Sequence, residues 1–150
     1  MRRLALALVI VLTSLAAAAQ QLDSALTSSL DSMLGEYFAA LEAEPVKVKL
    51  GECDFMLETC TDSLVRQYVA VRIYDHFLGS KVMGDESVAV HMVDDWFVPG
   101  KVSMYNDIDL LNAQVYAKFH RNSLIGKPAP VLVMKDVEGH PATLPRKGSV

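Results

Sequence analysis

Two cysteines, Cys53 and Cys60, are the only thiols in the sequence and its first candidates for covalent chemistry. A dithiol that exchanges with disulfides needs its cysteines about one helical turn apart at a helix N-terminus, where the dipole favours the thiolate. The Cys53-x6-Cys60 spacing does not supply that arrangement. In one continuous helix the pair stands about 10 Å apart at 1.5 Å per residue, beyond the ~7 Å between Cα atoms that a disulfide spans. A bond therefore requires the helix to end before Cys60 and the chain to fold back. Geometry favours two buried, unpaired thiols, whereas an oxidising compartment would favour the bond.

The second constellation is His91 with Asp94 and Asp95, an imidazole and carboxylates within one helical turn. Structural zinc takes four ligands with cysteine or histidine dominating, so this set reads first as the polar surface of a helix. His76, His120 and His140 have no partner at recognisable ligand spacing. No Ser or Asp lies in a hydrolase motif, and neither Gly84-Asp85 nor Gly126 lies in a phosphate-binding glycine pattern. The expectation is no catalytic residue, no metal ligand and no cofactor, with Cys53 and Cys60 the thiols of interest.

The elements that position these residues follow from hydrophobic periodicity. Leu22, Leu26, Leu30, Met33/Leu34, Tyr37/Phe38 and Leu41 share one face of a helix, which Glu44-Pro45 breaks. Val46, Val48 and Leu50 alternate with Lys47 and Lys49 as a strand would, but Val46, Leu50, Cys53, Leu57 and Cys60 recur at steps of four and three. The longer pattern predicts a helix from about Pro45 to Glu58. Thr61-Asp62-Ser63 offers caps for a third helix, apolar around most of its circumference and ended by Gly79. Asp85 can cap a fourth, with Val88, Met92, Val93, Trp96 and Phe97 inward, stopped by Pro99-Gly100. Asn106 or Asp107 starts a fifth, with Ile108, Leu111, Val115 and Phe119 as its apolar face. Tyr68, Tyr74, Phe77, Trp96 and Phe97 read as helix–helix core rather than a ligand pocket.

The two ends differ from this array. Met1-Arg2-Arg3, the apolar run from Leu4 to Leu12 and the small residues Ala16 to Ala19 have the layout of a cleaved signal peptide. A membrane anchor needs about 20 apolar residues, and Thr13-Ser14 interrupts this shorter run. Cleavage leaves Gln20 or Gln21 first, and removes two arginines from a chain already at a net charge of −4. With no basic stripe, nucleic acid and anionic membrane surfaces are disfavoured partners. After Asn122-Ser123 the helical period ends, prolines appear at 128, 130, 141 and 145, and Val131-Leu132-Val133-Met134 is β-prone.

Ser123 to Leu144 reads as a stiffened lead-in, a strand, a turn centred on Glu138-Gly139 and a second strand. It resembles the opening of bacterial envelope thioredoxin-like proteins of the TlpA/ResA type and of the related peroxiredoxins. Gly51-Glu52-Cys53-Asp54-Phe55, Asp62-Ser63-Leu64-Val65-Arg66-Gln67, Ser80-Lys81-Val82-Met83-Gly84 and Val90-His91-Met92-Val93-Asp94-Asp95-Trp96-Phe97 are similar to the helical domain preceding such domains in secreted bacterial proteins. The resemblance implies an α/β redox domain whose Cys-x-x-Cys acts on protein disulfides or a redox partner. No such motif occurs before Val150, so the 150 residues are expected to be inactive by themselves.

The architecture expected is mainly α: a signal peptide over 1–19, about five helices over 20–122, and over 123–150 the first β-hairpin of an incomplete thioredoxin-like domain. The function expected is the N-terminal portion of a thiol–disulfide oxidoreductase located in the bacterial periplasm or otherwise exported across the inner membrane. The alternatives are a non-catalytic binding or dimerisation module, and the N-terminal part of a peroxiredoxin-like peroxidase. Composition leaves the oligomeric state open.

Overall fold

Pro45, which cannot donate a backbone hydrogen bond, separates the first two helices among the described residues. The computed structural model describes residues 23–128 and 131–144, and the expected signal peptide and Leu22 lie outside them. Helix α1, Ser24–Leu41, buries Leu30, Leu34, Tyr37, Phe38 and Leu41, the predicted face. Helix α2, Val46–Thr59, follows with Pro45 at its N-cap, and Cys60 leaves it in extended geometry. Helix α3, Ser63–Leu78, is capped as expected: the Asp62 carboxylate accepts from the amides of Leu64 and Val65 at 2.8 and 3.0 Å. The Gly79 amide closes its C-terminus on the Asp75 carbonyl.

Helix α4, Glu86–His91, runs without a break into a π-helical turn, Met92–Phe97. There the Val98 amide reaches back five residues to the Val93 carbonyl at 2.9 Å. This short element is the centre of the array. It packs against α2, α3 and helix α5, Asp107–His120, and Val88, Ala89, Met92 and Val93 are almost wholly enclosed. A helix apolar on all sides is stable only when neighbours cover it all round. Gly84, at φ +99°, starts the element where a Cβ would stand 3.1 Å from the Val46 side chain. The positive φ favours glycine there, and a Cβ would also press on the Val46 side chain.

Two expectations are corrected. Asp85 stands at the start of α4, but its carboxylate bonds no amide of that helix. It accepts instead from Lys49 Nζ at 2.6 Å and Ser80 Oγ at 2.8 Å. A buried ammonium needs a counter-charge more than a helix end needs a cap. The second correction concerns α5. Its inward residues are Ala113 and Ala117, while Ile108, Leu111, Val115 and Phe119 point to solvent. At about 100° per residue the two sets lie on opposite sides of the helix. Ala113 and Ala117 are the buried centre of the contact, flanked by the partly buried Leu110 and Tyr116, and the stripe from Ile108 to Phe119 is left outside.

Strands β1, Leu132–Lys135, and β2, Pro141–Leu144, form an antiparallel hairpin with Leu132 opposite Leu144 and Lys135 opposite Pro141. Its turn is built by Asp136, whose carboxylate accepts from the amides of Glu138 and His140, and by Gly139 at φ +88°. The fold is therefore mainly helical, with five helices and one hairpin among the described residues. None of the hairpin's described side chains joins the core, in which Leu124 is the last partly buried member. Among the described residues no helix is long and apolar enough to cross a membrane.

Candidate functional site

The thiols come first because their chemistry is the most readily tested. Cys53 is fully buried in the middle of α2, and Cys60 is buried one residue beyond its end. Both are free. The helix ends before Cys60, as a disulfide would require, yet no bond forms. Burial pushes the Cys53 thiol up to about 12, with the charges of Asp54 and Glu52 adding to it. Burial likewise pushes Cys60 up to about 11, opposed by the Arg66 guanidinium, which donates to the Cys60 carbonyl. Thiolate is the reactive form, and neither position has the accessible, electropositive helix start that produces it. These are core residues.

His91 is brought to a carboxylate that the sequence reading did not associate with it. Its Nε2 meets Asp54 Oδ1 on α2 at 2.7 Å, and its Nδ1 meets Asp95 Oδ2 at 2.7 Å. Trp96 Nε1 donates to the same Asp54 Oδ1 at 2.7 Å. Residues five apart, such as His91 and Trp96, point about 140° apart on a regular helix at about 100° per residue. A π-turn, closed by five-residue bonds, aligns them. The local widening after His91 thus lets two donors converge on one oxygen. With a carboxylate against each ring nitrogen, His91 offers no open position to a metal. Asp94 faces away and takes Arg121 in a two-pronged pair at 2.5 and 3.0 Å. The cluster clasps α2 to α4, while Asp95 stays on the solvent-facing surface that the spacing suggested.

A third cluster surrounds Lys49. Its ammonium is 1% exposed, paired with Asp85 and 5.9 Å from the Phe77 ring centre. The pair lies beside an open cleft of about 400 Å³ lined also by Phe38, His76 and Ser80. His76 stacks on Phe38 at 4.1 Å, and burial lowers its basicity, an effect opposed by Asp85. The cleft therefore presents aromatic faces and an already neutralised charge pair. A signal for Lys49 was present in the sequence: it falls four residues before Cys53, on the apolar stripe of α2. Nothing local pointed to Asp85 as its partner.

The other histidines are also accounted for. His120 stacks on Tyr116 at 4.0 Å. His140, expected to have no ligand-spaced partner, is gathered with Asp136 and Glu138 by the hairpin turn, their ligand atoms within 4.8 Å of one another. All three are exposed, and the Asp136 carboxylate already serves the turn's backbone.

One feature has no internal role among the described residues. Ile108, Leu111, Val115 and Phe119 form an apolar stripe along the outside of α5, exposed at 70, 58, 44 and 75%. Single exposed apolar residues are ordinary, whereas a contiguous set along one helix face is the usual mark of a contact surface. No protein-family model, curated protein or solved structure matches the chain, so this stripe and the inert thiols carry the functional argument.

Proposed function

We propose that the helical array is a non-catalytic interaction module of an exported protein, and that the hairpin after it opens a thioredoxin-like domain of a thiol–disulfide oxidoreductase. The module reading is carried by the outward stripe of α5, Ile108, Leu111, Val115 and Phe119. The accompanying chemistry is consistent with it: both thiols are enclosed and held protonated. The redox assignment rests on the resemblance of Ser123–Leu144, and the exported location on the leader-like Met1–Ala19. In that reaction a thiolate attacks a substrate disulfide, forms a mixed disulfide, and is released by a second thiol. The helical array would position such a domain against its protein partners.

The test is thiol labelling of the 150-residue chain together with an insulin-reduction assay. Neither cysteine should react in the native state, both should react in denaturant without reductant, and insulin should not be reduced. Rapid native labelling or turnover of insulin would remove the non-catalytic reading. The residues encoded after Val150 test the redox assignment: a Trp-Cys-x-x-Cys supports it, a single Cys after Thr replaces it with a peroxidase, and a stop codon leaves the module alone.

A further inference from the structure

We propose that the outer face of α5 binds the same face of a second copy of this chain, the two helices running antiparallel across a two-fold axis near residue 113. This rests on the module reading and names its partner.

The stripe is self-complementary in spacing. Leu111 and Val115 lie two residues on either side of position 113, and Ile108 and Phe119 lie five before and six after it. An antiparallel pair centred there sets Leu111 against Val115 of the partner copy, and Ile108 against its Phe119. A two-fold contact requires this reciprocity, in which each residue meets its counterpart's partner.

Charge agrees with the same register. Asp107 and Lys118 are exposed, lie on one flank of the stripe, and stand six and five residues from the centre. An antiparallel arrangement brings Asp107 of each copy to Lys118 of the other. A parallel two-fold pair would place that flank on opposite sides of the contact in the two copies, leaving Asp107 and Lys118 without each other. Opposed helix dipoles favour the antiparallel form as well. An anionic lipid surface fits less well, because Asp107 and Asp109 occupy the first turn of the helix. The helix is about 21 Å long at 1.5 Å per residue, so four apolar side chains cover less than the ~800 Å² per partner of a standard interface. The dimer is therefore expected to be weak and to depend on concentration.

Sedimentation of the 150-residue chain over a roughly hundred-fold range around micromolar concentration should show reversible dimerisation. Leu111→Glu or Phe119→Glu should raise the dissociation constant about ten-fold or more while leaving the helical circular dichroism unchanged, since both side chains are exposed. Asp107→Lys and Lys118→Glu should each weaken association, and the double exchange should restore it. A chain that stays monomeric at every concentration overturns the proposal, as does a dimer indifferent to the stripe substitutions or not rescued by the double exchange. A monomer that fails to reduce insulin leaves the module reading standing, whereas insulin turnover removes that reading whatever the oligomeric state.

Discussion

At the scale of single residues, the chain uses its most chemically versatile side chains for structure. Lys49 and Asp85 are the clearest case, enclosed to 1 and 4% exposure at 2.6 Å. Breaking a buried pair from one side strands a charge, at a cost of about 3–5 kcal/mol. Asp85→Ala should lower stability by that amount in urea unfolding, and adding Lys49→Met should recover part of the loss. A double variant less stable than Asp85→Ala would show that the pair is not what enforces the arrangement. The thiols make a second prediction, for alkaline conditions. Their folded values of about 12 and about 11 lie above the ordinary 9.0. The unfolded chain therefore loses these protons first, and stability present below about pH 9 should fall as pH rises toward about 12. Cys53→Ala should flatten that decline; an unchanged slope in urea midpoints against pH would argue that Cys53 is not enclosed.

At the scale of elements, what was legible in the sequence was whatever local chemistry decides. Pro45, Asp62, Gly79 and Asn106 each mark a helix boundary where the structure has one, because caps and breakers act within a few residues. The faces of α1, α2 and α4 were legible for the same reason: their large apolar residues meet the core. Helix α5 was misread because the strength of an apolar pattern does not say which neighbour it meets. Alanine carries little hydrophobic signal, yet Ala113 and Ala117 are the residues of α5 that are fully buried. The π-turn was illegible because the carboxylate it directs Trp96 toward, on Asp54, lies 42 residues earlier in the chain. If the shared oxygen holds that turn, Asp54→Ala should cost about 1–3 kcal/mol by stranding two donors. It should also move the Trp96 indole proton resonance and red-shift its fluorescence. Unaltered Trp96 spectra in a folded Asp54→Ala variant would refute the role given to that oxygen.

At the scale of the whole molecule, the helices and the hairpin are held by unequal means. The array encloses a continuous core running from Leu30 to Ala117, with α4 covered on its several sides. The hairpin has two four-residue strands, and the Leu132, Val133 and Met134 side chains of β1 are all exposed. A two-stranded sheet with no covered face is marginal in water, so its amides open with little free energy while those of a packed core open only on global unfolding. Hydrogen exchange should therefore divide the chain in two. Amides of α3 and α4 should exchange slowest, and those of Leu132–Lys135 and Pro141–Leu144 at nearly the unprotected rate. The double substitution Val133→Lys with Leu132→Lys should leave the urea midpoint of Trp96 fluorescence within about 0.5 kcal/mol of the original, the usual range for surface changes. Hairpin amides as protected as those of α4 would mean that something covers the strands. The division between a self-sufficient array and an uncovered strand pair would then not describe this chain.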